Sequence, residues 1–228
     1  MAWRTRTGGV LWIACLQYFV AEAVCIAFWR GAYSLRENFI SDLGAVRRPV
    51  VDDGFSPLHL VMNGSFVLQG ALIAVGALLL APARPRGRLG GIGWALVGAS
   101  GLGLALVGLA PEDVSPPLHY FGAGVDLVCC NLGALLGGVA LLKTGTGSRI
   151  FAGGAVLTGA VGLTALALLA LRADFGAGIG VVERIAAYPF TLWIAAVGAR
   201  RLAVEAQSAG TSWDESAISD LPDDAATP

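Results

Sequence analysis

Gly90-Gly-Ile-Gly-Trp-Ala-Leu-Val-Gly-Ala-Ser-Gly-Leu-Gly-Leu-Ala-Leu-Val-Gly-Leu-Ala110 decides the fold. The run carries no charge, and its single hydroxyl is Ser100. Wound as a helix at about 1.5 Å per residue, it reaches about 30 Å, the thickness of a bilayer's hydrocarbon core. It is apolar all round, so it has no face to offer water and needs lipid or protein on every side. Its glycines, Gly98, Gly101, Gly103 and Gly108, permit the close backbone approach that holds helices together in lipid, within or between chains.

Working outward, the same composition recurs. The 228 residues are 56% hydrophobic and 14% charged, with a mean hydropathy of +0.71, against about 25% charged for a soluble domain. Six apolar runs of spanning length lie at about 9–29, 57–81, 90–110, 118–142, 150–171 and 181–202. The first, after Arg4 and Arg6 and with small residues at Ala21–Ala23, has features of a signal peptide. Its apolar run continues past that point to about 20 residues, which predicts a retained helix. Backbone groups in lipid must be satisfied within the segment, and the alternating strands of a β-barrel are absent. The expected fold is therefore all-α, a polytopic bundle of six transmembrane helices over residues 1–202. Residues 203–228, acidic and rich in Ser, Asp, Pro and Ala, are expected to form an unstructured tail.

An even number of spans puts both termini on one side. With the termini cytoplasmic, the inner segments hold Arg4, Arg6, Arg84, Arg86, Arg88, Lys143, Arg149, Arg200 and Arg201, and the outer ones Arg30, Arg36, Arg47, Arg48, Arg172 and Arg184. The short inner loops are basic without a carboxylate, whereas every outer loop carries one. The positive-inside rule then predicts cytoplasmic termini and a plasma-membrane protein in contact with the lipid bilayer.

Several function classes drop out. The net charge of −1 supplies no basic field for nucleic acid. Cys15, Cys25, Cys129 and Cys130 all lie in apolar runs without metal spacing and read as small buried hydrophobes. There is no P-loop, no GxSxG and no HExxH, and nothing in the sequence names a cofactor or a metal site.

The most distinctive polar stretch is Asn38-Phe-Ile-Ser-Asp-Leu-Gly-Ala45, between the first two spans. Ionisable groups near lipid are costly and read as functional candidates. They are Glu22 in the first span, His59 in the second with the polar Asn63 one turn later, His119 and Asp126 in the fourth, and Glu183–Arg184 at the start of the sixth. His119 and Asp126, seven apart, share a helical face. With Asp113 of the acidic turn, most fall at outer ends of spans and converge on an outward polar pocket. Ser41, Asp42 and His119 are the candidate catalytic groups, the His as acid/base. Asn38, Asn63, Asp113, Asp126, Glu183 and Arg184 are the candidate binding groups, with Arg184 placed to hold a phosphate. Two histidines with carboxylates also have the chemistry of a zinc site, although the His59…His119 spacing matches no metal signature. Against each stands a bland role: Asp42 as a turn cap, the histidines as interfacial anchors, Glu183–Arg184 as an internal ion pair.

Those motifs carry a resemblance. Asn38–Ala45, Ser56-Pro57 with Asn63-Gly-Ser65, Gly108-Leu-Ala-Pro-Glu-Asp113, Leu118-His119 with Gly122-Ala123, and Gly180-Val-Val-Glu-Arg184 before Trp193 resemble the bacterial and archaeal multi-pass membrane family known as domain of unknown function 998, over about residues 10–202. Ile-Ser-Asp-Leu-Gly and His119-Tyr-Phe-Gly-Ala123 are more distantly similar to motifs of the six-helix Frag/DRAM-type proteins. The resemblance implies six helices and a motif face on the outside. It implies no activity, and His59 lies outside its motifs. Three functions are left open: binding or modifying a lipid head group at the outer cluster, a non-catalytic membrane partner or assembly factor, and a small-solute or ion transporter using Glu22 and Asp126.

Overall fold

The computed structural model describes residues 2–47 and 54–219. Arg48, Pro49 and Asp52–Asp53 of the long polar loop, and residues 220–228 of the tail, lie outside the described residues. Seven α-helices make six spans: α1 (Ala2–Ala14) with α2 (Gln17–Ala27), α3 (His59–Leu80), α4 (Gly87–Leu109), α5 (Pro116–Thr144), α6 (Arg149–Ala170) and α7 (Ile179–Ser219). Six helical stretches are long and apolar enough to cross a membrane. Leu78, Leu102 and Leu157 stand fully outward, as they would against lipid.

The helices form a closed ring. Each packs on the next in sequence from α3 to α7, α7 returns to α1, and α1 with α2 closes on α3. Glycines set the spacing. A Cβ at Gly70 would stand 2.3 Å from Gly101 O, and one at Gly101 would stand 2.4 Å from Gly70 O, so α3 and α4 touch backbone to backbone. Gly103 meets Gly122 on α5 in the same way, and Gly108 meets Asn63 O on α3. Gly98 does not take part, since its nearest neighbour is Ala77 Cβ at 3.8 Å.

The first span is broken at Cys15–Leu16. The break turns Gln17 inward, where its amide donates to Ser65 O at 3.3 Å and its carbonyl accepts from Ser65 Oγ at 3.0 Å. Gln69, buried beside it, donates to Thr191 Oγ1 at 3.2 Å. This chain of amides and hydroxyls satisfies polar groups that lipid would leave stranded, and it ties α2, α3 and α7 together. Below it lies the main apolar core of Trp12, Ile73, Leu80, Val97, Ile194 and neighbours, with Trp12 Nε1 donating to Ile73 O at 3.2 Å.

Helix α7 continues past 202 to Ser219, into the stretch for which an unstructured tail is expected. Ala203, Glu205, Ala206 and Gln207 are good helix formers, so nothing local stops the helix where the apolar run ends. The four cysteines are free thiols.

Candidate functional site beneath the first loop

Residues 28–47 and 54–58 fold across one end of the ring as a lid. Its base is closed by paired backbone hydrogen bonds, Arg30 N to Phe55 O and Phe55 N to Arg30 O, each 3.0 Å. Asn38–Ala45 is the part that dips into the bundle, and Ser41–Gly44 forms a single 3₁₀ turn. Leu43 is wholly buried there, with Ile40 and Ala45 nearly so.

Asp42 makes this turn. Its Oδ2 accepts from Phe39 N at 2.9 Å and from Asn38 Nδ2 at 3.1 Å. Asn38 in turn accepts from Ser34 N at 2.9 Å. Asn63 reaches from α3 to donate to Gly44 O at 2.8 Å. A Cβ at Gly44 would lie 2.3 Å from Asn63 Oδ1, so only glycine lets the turn sit this close to α3. Asp113, from the turn between α4 and α5, accepts from the backbone N–H groups of Val46 and Arg47. These four side chains fasten the lid.

Arg184 is the strongest fastener. Nη1 donates to Leu35 O, Asn38 O and Gly180 O at 3.1, 2.9 and 3.0 Å. Nη2 donates to Glu22 Oε1 at 3.1 Å and to Tyr33 OH at 2.7 Å. Tyr188 completes the pair by donating to Glu22 at 2.6 Å. Both terminal nitrogens are spent inside the chain, in a buried ion pair that joins α2, α7 and the lid. The proposed transport residue Glu22 is thereby neutralised by a cation, and it does not line the cavity reached by Asp126.

Under the lid lies a cavity of about 80 Å³. Its walls carry the polar groups of Ser41, Gln69, His119, Asp126, Glu183 and Thr191 among apolar side chains that include Phe66, Ile73, Leu104 and Phe190. One Glu183 oxygen accepts from Ile40 N at 2.5 Å, which holds this carboxylate against the turn. His119 is buried, with Nδ1 2.9 Å from Ala110 O. A carbonyl only accepts, so in the neutral ring Nδ1 carries the proton and Nε2 keeps the lone pair. Tyr18, also in the wall, has a buried hydroxyl without a partner.

Glu112 is the group that reading the sequence passed over in favour of its neighbour Asp113. Its carboxyl lies close enough to the Ser41 hydroxyl and to Asp42 for both to act on it. Burial, then the nearby Asp42 charge, pushes it up to about 7. A carboxyl with that value can hold or release a proton near neutral pH, beside Ser41. The signal was present in Pro111-Glu112-Asp113, but only the folded lid shows which carboxylate faces inward.

His59 stands apart from this cavity, with Nδ1 3.1 Å from Ser56 O. Among the described residues, no group of three or more His, Cys, Asp or Glu side chains is arranged to hold a metal.

Six apolar spans in a closed ring, with a fastened loop over a partly polar cavity, define a multi-pass α-helical membrane protein. The chain belongs to the family described as "Protein of unknown function (DUF998)", which it matches over residues 12–200. No curated protein and no solved structure matches it.

Proposed function

We propose that this protein binds the head group of a lipid in the cavity beneath the lid, with its termini cytoplasmic and the lid on the outer face of the plasma membrane. The observation that carries the reading is the mixed lining of the cavity. Ser41, Gln69, His119, Asp126, Glu183 and Thr191 share its walls with aromatic and aliphatic side chains. An amphiphile carries both kinds of chemistry. By the measure in which one water needs about 10–15 Å³, the space holds a head group and the first methylenes of a chain. The unpartnered Tyr18 hydroxyl would then have something to bond.

The lining sets the head-group class. Among the described residues it contains two carboxylates and no Lys or Arg. An anionic phosphate would meet repulsion there, and Arg184 has no free terminal nitrogen to hold it. A hydroxylated or amine-bearing head group fits, donating to Asp126 and Glu183. The Ser41–Glu112 pair and His119 Nε2 add groups able to take up and return a proton at that head group.

The test is native mass spectrometry of the full chain purified in mild detergent, with extraction and identification of retained lipid. Wild type is expected to retain an amine- or hydroxyl-headed lipid. Ala123→Phe fills the cavity wall and should abolish retention, whereas Tyr120→Ala, on the exposed side of α5, should not. Equal retention by wild type and Ala123→Phe would overturn the reading, as would selective retention of an anionic lipid lost with the cavity variant.

A further inference from the structure

The opposite end of the ring carries a second cavity, of about 290 Å³. Among the described residues its polar lining is Arg84, Arg86, Arg200, Arg201, Thr146 and Ser148, with no carboxylate. We propose that this cavity is a binding site for a phosphate-bearing anion.

Four guanidiniums from two separate elements converge here. Arg84 and Arg86 come from the turn between α3 and α4, and Arg200 and Arg201 from α7. Each is only partly committed within the chain. Arg84 Nη1 donates to Ala81 O at 3.3 Å, and Arg201 Nη2 donates to Ala83 O at 2.5 Å. Arg200 lies over the Phe151 ring at 4.9 Å, a contact that uses the face of the guanidinium and leaves its N–H edge. A guanidinium has five donors in a planar fork, so each arginine keeps donors for an oxyanion.

The backbone adds to the same field. Arg86 immediately precedes α4, and Ser148 immediately precedes α6, so two long helices present their N-terminal ends to the cavity. Unpaired amides and the helix dipole favour negative charge there. Ser148 Oγ caps α6 by accepting from Phe151 N, which leaves its hydroxyl proton to donate. Gly147, at a φ of +84°, takes the left-handed conformation this corner needs and brings the backbone beside Arg200. Gathering four like charges around one space is unfavourable unless an anion offsets them. The shared ligand chemistry is a phosphate group, on a lipid or free in solution.

The experiment uses the full chain in nanodiscs of phosphatidylcholine with phosphatidylglycerol, read by native mass spectrometry, and in phosphatidylcholine alone titrated with inorganic phosphate. The variant is Arg84→Gln with Arg86→Gln, two exposed side chains whose loss leaves the core intact. Loss of two charge-assisted partners should weaken anion binding about ten-fold or more. Arg4→Gln with Arg6→Gln, basic but outside the cavity, should leave it unchanged. Phosphatidylglycerol retention resistant to phosphate would support the site and assign a lipid; saturable phosphate binding would support it and assign a soluble anion. Equal anion binding by wild type and the Arg84/Arg86 variant, or equal loss in the Arg4/Arg6 variant, would overturn it. Neither readout involves the cavity beneath the lid, so this proposal and that one fail separately.

Discussion

The two ends of the bundle solve the same problem in opposite ways. Both must end six helices at a membrane surface and satisfy the exposed backbone groups there. At the lid end the chain folds a loop inward and bonds it to itself: Asp42, Asn63, Asp113, Glu183 and Arg184 all accept from or donate to loop backbone. At the basic end the connections are short, and the cavity between them is lined by guanidiniums only partly satisfied by protein. A closed, carboxylate-lined end has spent its cation on architecture; an open, arginine-lined end has kept its cations for something else. Polar residues near a membrane are therefore sorted by what they bond, more than by where they lie in the chain.

The largest break in that comparison should come from Arg184→Gln. It strips the ion pair from Glu22, leaving a buried charge in a low-dielectric setting, at a cost of about 3–5 kcal/mol. Arg84→Gln with Arg86→Gln, two charges removed at the other end, should barely move the unfolding temperature, because both side chains are exposed. Thermal unfolding in nanodiscs measures both. Similar losses in the two variants would show that the ends do not differ in the way described.

Much of this was legible in the sequence. Six spans follow from run length and charge alone, because lipid tolerates few alternatives. The convergence of Ser41, His119 and Glu183 on one cavity follows from their common position at the outer ends of spans, and Asp126 joins them from two turns further along the His119 face. What the sequence could not display is occupancy. Arg184 has the type and place of a phosphate ligand, yet its terminal nitrogens are taken by three carbonyls, Glu22 and Tyr33, partners scattered from residue 22 to 180. Glu112 and Asp113 are adjacent and chemically alike. Only the path of the lid sends one inward to Ser41 and the other to the backbone of Val46. Gly101 and Gly98 likewise look equivalent, and the rotation of α4 separates them.

Glycine provides the next contrast. Gly44→Ala would drive a methyl into Asn63 at the lid, for which overpacking costs about 1–3 kcal/mol. Gly91→Ala, on α4 at the basic end, meets nothing within 4 Å. In a helix it should be neutral or stabilising by up to about 1 kcal/mol. Adding Asn63→Ala to Gly44→Ala should recover part of the loss, as coupled neighbours do. Fully additive losses would mean that Asn63 is not what the new methyl strikes.

The ends should also differ in their response to pH. Glu112 is held near 7 in the folded protein, above its ordinary carboxylate value of 4.5. A raised carboxylate favours the folded state less as pH rises: the unfolded chain loses its proton first, from about pH 4.5, and the penalty is complete above about 7. Wild type should therefore unfold at a lower temperature at pH 8 than at pH 5. Glu112→Gln, which cannot ionise, should reduce that difference. A slope left unchanged by the substitution would place the titrating group elsewhere.

The smallest effect is expected from Asp113→Asn. Each carboxylate oxygen now accepts one backbone N–H, from Val46 and Arg47. The amide keeps one acceptor and turns an NH₂ toward the other donor, so one bond is lost, for about 0.5–1.5 kcal/mol. In a chain of this size that lowers the unfolding temperature by only about 2–4 °C per kcal/mol. Hydrogen exchange is the sharper readout. The amides of Val46 and Arg47 should exchange faster, while those of Phe39 and Ile40, held by Asp42 and Glu183, should not. Faster exchange at all four would show that the lid opens as one unit hinged at Asp113. Unchanged exchange at Val46 and Arg47 would show that Asp113 does not fasten it.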